Sequence, residues 1–225
     1  ASYVLHPPPW PNALPTLLLA PLLSVLDGLT AAKLLVAVGV VGWPVSIALL
    51  LRRFDRAPLL ALLVVPTSFD LSFGYGFLHF VLGKPLWALA LVAAVDVARG
   101  PGDGARPSAG RFALVRLALV LALLFATHLM LFATAVLLGA LLIVLCATTW
   151  KTRAKALLST VLGAAPAAWW ASSQPPSSGG RTVYPGLVSS LTHLWDNLGD
   201  LHSGPVDAVP WVVCGAALVV AVVVS

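Results

Sequence analysis

The chain has 225 residues, of which 60 % are hydrophobic and only 9 % charged, a balance that excludes an ordinary water-soluble domain. Its net charge of +5 is carried by 13 Lys and Arg against eight acidic residues, all of them Asp. The absence of Glu weakens any reading that needs a Glu base or a Glu-x-x-His metal pair, and the clustering of the basic residues speaks for topology rather than for nucleic acid.

Several apolar runs reach the roughly 20 residues that a helix needs to cross hydrocarbon. The expected fold is therefore all-α: a polytopic transmembrane bundle of about seven membrane helices plus interfacial helices, occupying residues 1–225 as one domain. The chain starts at Ala1 without Met and ends inside an apolar run, so it reads as a fragment of a longer protein. Cys146 and Cys214 lie in separate apolar runs and suggest neither a disulfide nor a zinc site.

In chain order, the proline-rich start leads into an apolar stretch at 14–26 that contains Pro15 and Pro21. It is too short to span comfortably, and an external interfacial or re-entrant helix is expected over 13–27. Residues 30–51, "TAAKLLVAVGVVGWPVSIALLL", form the first long span, with Lys33 able to snorkel at its outer end. Ten of the thirteen cations then fall into three clusters: Arg52, Arg53 and Arg56; Arg99, Arg106, Arg111 and Arg116; Lys151, Arg153 and Lys155. Short Lys/Arg-rich loops stay on the cytoplasmic side, so the chain leaves and returns between clusters.

"PLLALLVVPTSFD" goes outward, and a helix over about 76–98 returns. The long run between the second and third clusters accommodates two crossings, with a tight external hairpin at "ATHLM" around His128. A further helix exits after Lys155, where Trp169 and Trp170 fit an aromatic belt at the outer interface. Residues 173–207 read as an external loop carrying an amphipathic helix, with Leu187, Leu191, Leu194 and Leu198 on one face. A last inward crossing begins near Val209.

This sidedness gathers Asp70, Tyr75, His79 and His128 on the outer face. Ionisable groups at membrane depth are costly and generally face a cavity or a partner. Asp70 is a candidate acid or base, or else the N-cap of the segment that follows it. His79 stands four residues after Tyr75, on the same face of a helix. His128 is a candidate site residue, or a cap of the hairpin that donates to a carbonyl. Lys84, before Pro85, suits a phosphate as a point charge or else snorkels to the interface. Asp96 sits three residues before Arg99, close to the inner surface.

The order of "PPPWPNALPTLLLAPLLSVLDGLTAAKLLVAV", Arg52–Arg53, an outward helix ending at "SFD", "YGFLHFVLGKPLWALALV" and "LLFATHLMLF" resembles the GT-C class of integral-membrane glycosyltransferases over about residues 7–150. The resemblance implies inverting transfer from a polyprenyl-phosphate-linked sugar at the outer face of a cell membrane. Asp70, His79 and His128 would be the catalytic group and Tyr75 and Lys84 would bind substrate, with no cofactor or metal called for. The principal acid of the first external loop would precede Ala1. A transporter or lipid flippase, or a non-catalytic membrane subunit, are the competing classes. Internal repeats with midplane charges would mark transport, and no convincing repeat is visible.

Overall fold

The computed structural model describes residues 11–69, 77–100, 107–147 and 149–173. Asp70, Tyr75, the amphipathic stretch over 174–207 and the final apolar run lie outside the described residues. The chain divides into units 1–173 and 174–225, and everything below concerns the first.

The described residues form a bundle of α-helices: α1 (Leu14–Leu22), α2 (Gly28–Arg53), α3 (Leu78–Arg99), α4 (Pro107–Thr127), α5 (Leu129–Cys146) and α6 (Trp150–Ser173). Helices α2, α3 and α5 are long and apolar enough to cross a membrane. Each boundary has a local cause. The Asp27 carboxylate caps α2 by accepting from the amides of Leu29 and Thr30 at 3.1 and 3.0 Å. Gly100, with φ of 72°, follows the end of α3 in a conformation that suits glycine. Arg153 donates to the Val144 carbonyl at 3.0 Å and so covers the end of α5.

Between α2 and α3 the chain is wound as 3₁₀ helix over Pro58–Val64 and again over Pro66–Phe69, where the apolar pattern suggests one outward α-helix. Pro58 and Pro66 each set the first position of a turn. Reach decides the rest. Ten steps from Pro58 to Ser68 cover about 20 Å as 3₁₀ but only about 15 Å as α. The segment runs back along α2 until Ser68 Oγ meets the Val40 carbonyl at 3.4 Å. That carbonyl lacks its usual intrahelical donor because residue 44 is proline.

Helix α3 is the axis of the bundle. In its most apolar window 72 % of residues are buried, against 17 % for α2 and 22 % for α5. Its core face is largely alanine: Ala90, Ala93, Ala94 and Ala98 meet Leu117, Leu121, Leu124 and Phe125 of α4 and Phe132, Ala135 and Ile143 of α5. Small residues let helix backbones approach closely where lipid gives no hydrophobic drive between helices. Phe125 then fills the space between Phe132 and Trp170, with ring centroids 5.6 and 6.2 Å away. Trp170 is thus turned into the bundle, and of the pair expected at an interface only Trp169 is exposed.

Register follows from the contacts. Gly39 lies against Val81, Gly42 against Pro85, and Arg53 against Asp96, so α2 and α3 run parallel. Arg116 also reaches Asp96, and Gly83 meets Thr127 and His128, so α4 is antiparallel to α3. Ser159 Oγ donates to the Leu114 carbonyl at 2.6 Å and Gly163 meets Ala118 and Leu121, so α6 runs with α4. Arg52, Arg53, Arg99, Arg116, Lys151, Arg153 and Lys155 accordingly share one end of the bundle. Asp96 holds α2, α3 and α4 together there by pairing with both Arg53 and Arg116, and Arg99 adds a bond to the Arg53 carbonyl.

Candidate functional site

The end opposite the arginines is built from three elements: the close of the 3₁₀ segment, the first turns of α3, and the turn between α4 and α5. Thr67 fixes the first of these. Its hydroxyl accepts from the Trp43 indole at 2.9 Å and donates to the Val64 carbonyl at 2.7 Å. Its carbonyl accepts from the Lys84 ammonium at 2.8 Å. Lys84 is only 8 % exposed and its ammonium also stands 5.1 Å from the centre of the Phe80 ring. A cation so withdrawn from water needs such partners. Lys84 therefore ties α3 to the segment that leads to Asp70, rather than reaching an interface.

His128 forms the second point. Its extended backbone, with φ of −159° and ψ of 108°, ends α4 and starts α5. Its Nδ1 accepts from the Leu131 amide at 3.3 Å, so the ring acts as an N-cap. A cap of the hairpin is what its position suggests, but through the opposite polarity: the imidazole accepts from an amide and does not donate to a carbonyl. Asn12 satisfies a second free amide of the same helix end, accepting from Leu129 at 3.2 Å. Gly83 makes room for this turn, since a Cβ there would lie 2.7 Å from Leu131 Cδ1 and 3.3 Å from His128 Cβ.

His79, half-buried on the first turn of α3, is brought to the same end as His128. The Phe80 ring stands edge-on to His128 with centroids 5.2 Å apart. Burial, and then the charge of His79, hold the His128 imidazole below the ordinary histidine range. His128 is therefore neutral near pH 7. With Nδ1 accepting, its proton sits on Nε2.

The sequence-predicted set is thus brought together in part. His79, His128 and Lys84 converge at one end, while Asp70 and Tyr75 lie outside the described residues. Trp43, Thr67 and Asn12 were missed. The signals for them are weak in sequence: a Trp beside a mid-helix Pro, a Thr inside "PTS", and an Asn before a short proline-containing helix. Among the described residues no group of three or more His, Cys or Asp side chains is placed to hold a metal. No family model, curated protein or solved structure matches the chain.

Proposed function

We propose that this chain belongs to a multi-pass, glycosyltransferase-like protein of the cell membrane that takes its sugar from a polyprenyl-phosphate carrier at the outer face. One observation carries the reading: His79, His128 and the end of the 3₁₀ segment meet at the end of the bundle opposite the arginines. Placing the arginine end in the cytoplasm puts that meeting point at the outer surface, where a lipid-linked sugar would be presented. Asp70 follows Thr67 by three residues in the sequence.

In this reading an acceptor hydroxyl oxygen attacks the anomeric carbon while the bond from that carbon to the carrier's phosphate oxygen breaks. The bonding pair leaves with the phosphate, and Asp70 assists in taking the hydroxyl proton. Neutral His128, with Nδ1 held by Leu131, offers its Nε2–H to a phosphate or sugar oxygen. His79 and Tyr75 complete the contacts, and the buried charge of Lys84 offsets the phosphate from below.

The test is transfer of labelled sugar from a polyprenyl carrier by the full-length protein, with Asp70→Asn beside the wild type. Transfer unchanged by that substitution removes Asp70 from the mechanism. Sidedness is tested separately with single cysteines at positions 70 and 103 in intact cells and an impermeant thiol reagent. Reaction at 103 with protection at 70 ends the reading. A second reading, a non-catalytic membrane subunit, draws on the backbone partners of Lys84 and His128, which give both residues a structural task.

A further inference from the structure

A cavity of about 450 Å³ lies between α2 and α3 at the end opposite the arginines. Its walls are Ala32, Val36, Ala37 and Val40 of α2, Phe69 from the 3₁₀ segment, and Leu78 and Val81 from α3. Among the described residues its one charged lining residue is Lys33. The cavity begins where the helix seam is tightest. At Gly39 a Cβ would lie 2.8 Å from the Val81 carbonyl oxygen, and beyond that contact α2 and α3 leave a wedge between them.

The face of α2 beside the wedge is also apolar. Leu34, Val38 and Val41, on the neighbouring face of α2, are 47, 56 and 61 % exposed and continue the apolar wall outward. An exposed apolar face on a membrane helix is bathed by lipid chains. Lys33 lies about 7.5 Å along the axis from the start of α2, shallow enough for its ammonium to reach headgroup level.

We propose that this wedge is a binding site for an anionic phospholipid of the surrounding leaflet, one acyl chain lying along Val36 and Val40 and the phosphate pairing with Lys33. One observation and one general argument select this occupant. Among the described residues the walls offer no polar side chain besides Lys33 to a sugar or a peptide, whereas one cation at the mouth of an apolar slot complements one phosphate above a hydrocarbon chain. Bulk phospholipid also contacts the opening at far higher concentration than any scarce carrier lipid, and occupancy follows concentration. The site does not depend on glycosyl transfer.

The experiment places the full-length protein in phosphatidylcholine nanodiscs doped with phosphatidylglycerol bearing a photoactivatable group in one acyl chain, and maps the cross-links. Labelling concentrated on residues 32–40, above that on exposed Leu137 and Leu141 of α5, is expected. Lys33→Gln lowers the label at α2 about fivefold, as loss of one cation near anionic lipid does, while Lys33→Arg retains it. Ala37→Trp fills the slot and removes the label whatever the headgroup, and it decides the matter if Lys33→Gln fails to insert. Equal labelling of α2 and α5, an undiminished signal in Lys33→Gln, or a signal that survives Ala37→Trp overturns the proposal. So does displacement by polyprenyl phosphate but not by excess unlabelled phosphatidylglycerol, which would assign the wedge to a carrier.

Discussion

The ammonium of Lys84 donates to the main-chain carbonyl of Thr67 at 2.8 Å and joins the axial helix α3 to the end of the 3₁₀ segment. Removing the ammonium while keeping the bulk, as in Lys84→Met, leaves that carbonyl without this donor. The expected cost is about 1–3 kcal/mol, read as a lower unfolding midpoint in detergent. A midpoint equal to wild type would show that Thr67 is held without Lys84.

Gly39 and Gly139 make a paired prediction. A Cβ at Gly39 would stand 2.6 Å from Val81 Cγ1 and 2.8 Å from the Val81 carbonyl oxygen, and the latter is backbone that cannot step aside. Gly39→Ala should destabilise by about 1–3 kcal/mol by forcing α2 from α3. At Gly139 the nearest atom to an added Cβ is the Ala94 Cβ at 3.6 Å, ordinary contact. Gly139→Ala should therefore be neutral or stabilise by about 0.4–1 kcal/mol. Thermal unfolding of the two variants side by side reads the contrast, and equal shifts would contradict the seam.

Asp96 is 18 % exposed and serves Arg53 and Arg116, which are 39 and 47 % exposed. Asp96→Asn keeps the shape but leaves two arginines facing each other across a neutral amide. Partial solvation of the arginines moderates the loss to roughly 1–2 kcal/mol. High salt should lower wild-type stability toward that of the variant by screening the pairs. A double-mutant cycle of Arg53→Gln with Asp96→Asn should show coupling, and strict additivity would deny the contact.

The pH dependence follows from His128, whose folded-state affinity for protons is depressed first by burial and then by His79. Above the ordinary histidine value of 6.5 both the folded and unfolded chains carry the ring neutral, and its contribution to stability is complete. As the pH falls below that value the unfolded chain binds the proton first, so stability declines until the folded form also protonates. Protonation of Nδ1 in addition removes the acceptor of the Leu131 amide. The drop in melting temperature between about pH 8 and about pH 5 should be smaller in His128→Asn, which keeps a capping acceptor but does not titrate. An identical drop in both proteins would exclude His128 as its source.

Features governed by local pattern were legible in the sequence. The first long helix ends at Arg52–Arg53, and the turn between α4 and α5 falls at His128, because charge and helix length fix both. The 3₁₀ winding was not legible. Local propensity does not separate it from α-helix, and the decision rests on bonds from Thr67 and Ser68 to residues of α2 and α3. The bond from Lys84 to Thr67 was not legible for the same reason: the two lie 17 residues apart, across a connection whose path the sequence does not reveal. Asp96 near Arg99 suggested only a position close to one surface. Its partners, 43 residues before it and 20 after it, emerge only once α2, α3 and α4 are packed.

The stretched winding between Pro58 and Phe69 makes that connection intolerant of changes in length. One residue inserted ahead of Thr67 would turn its carbonyl and hydroxyl by about 120° about the segment axis, away from both Lys84 and Trp43. A deletion would leave the strand of chain about 2 Å short of its anchors. Substitutions that preserve the count should accumulate there far more readily than insertions or deletions.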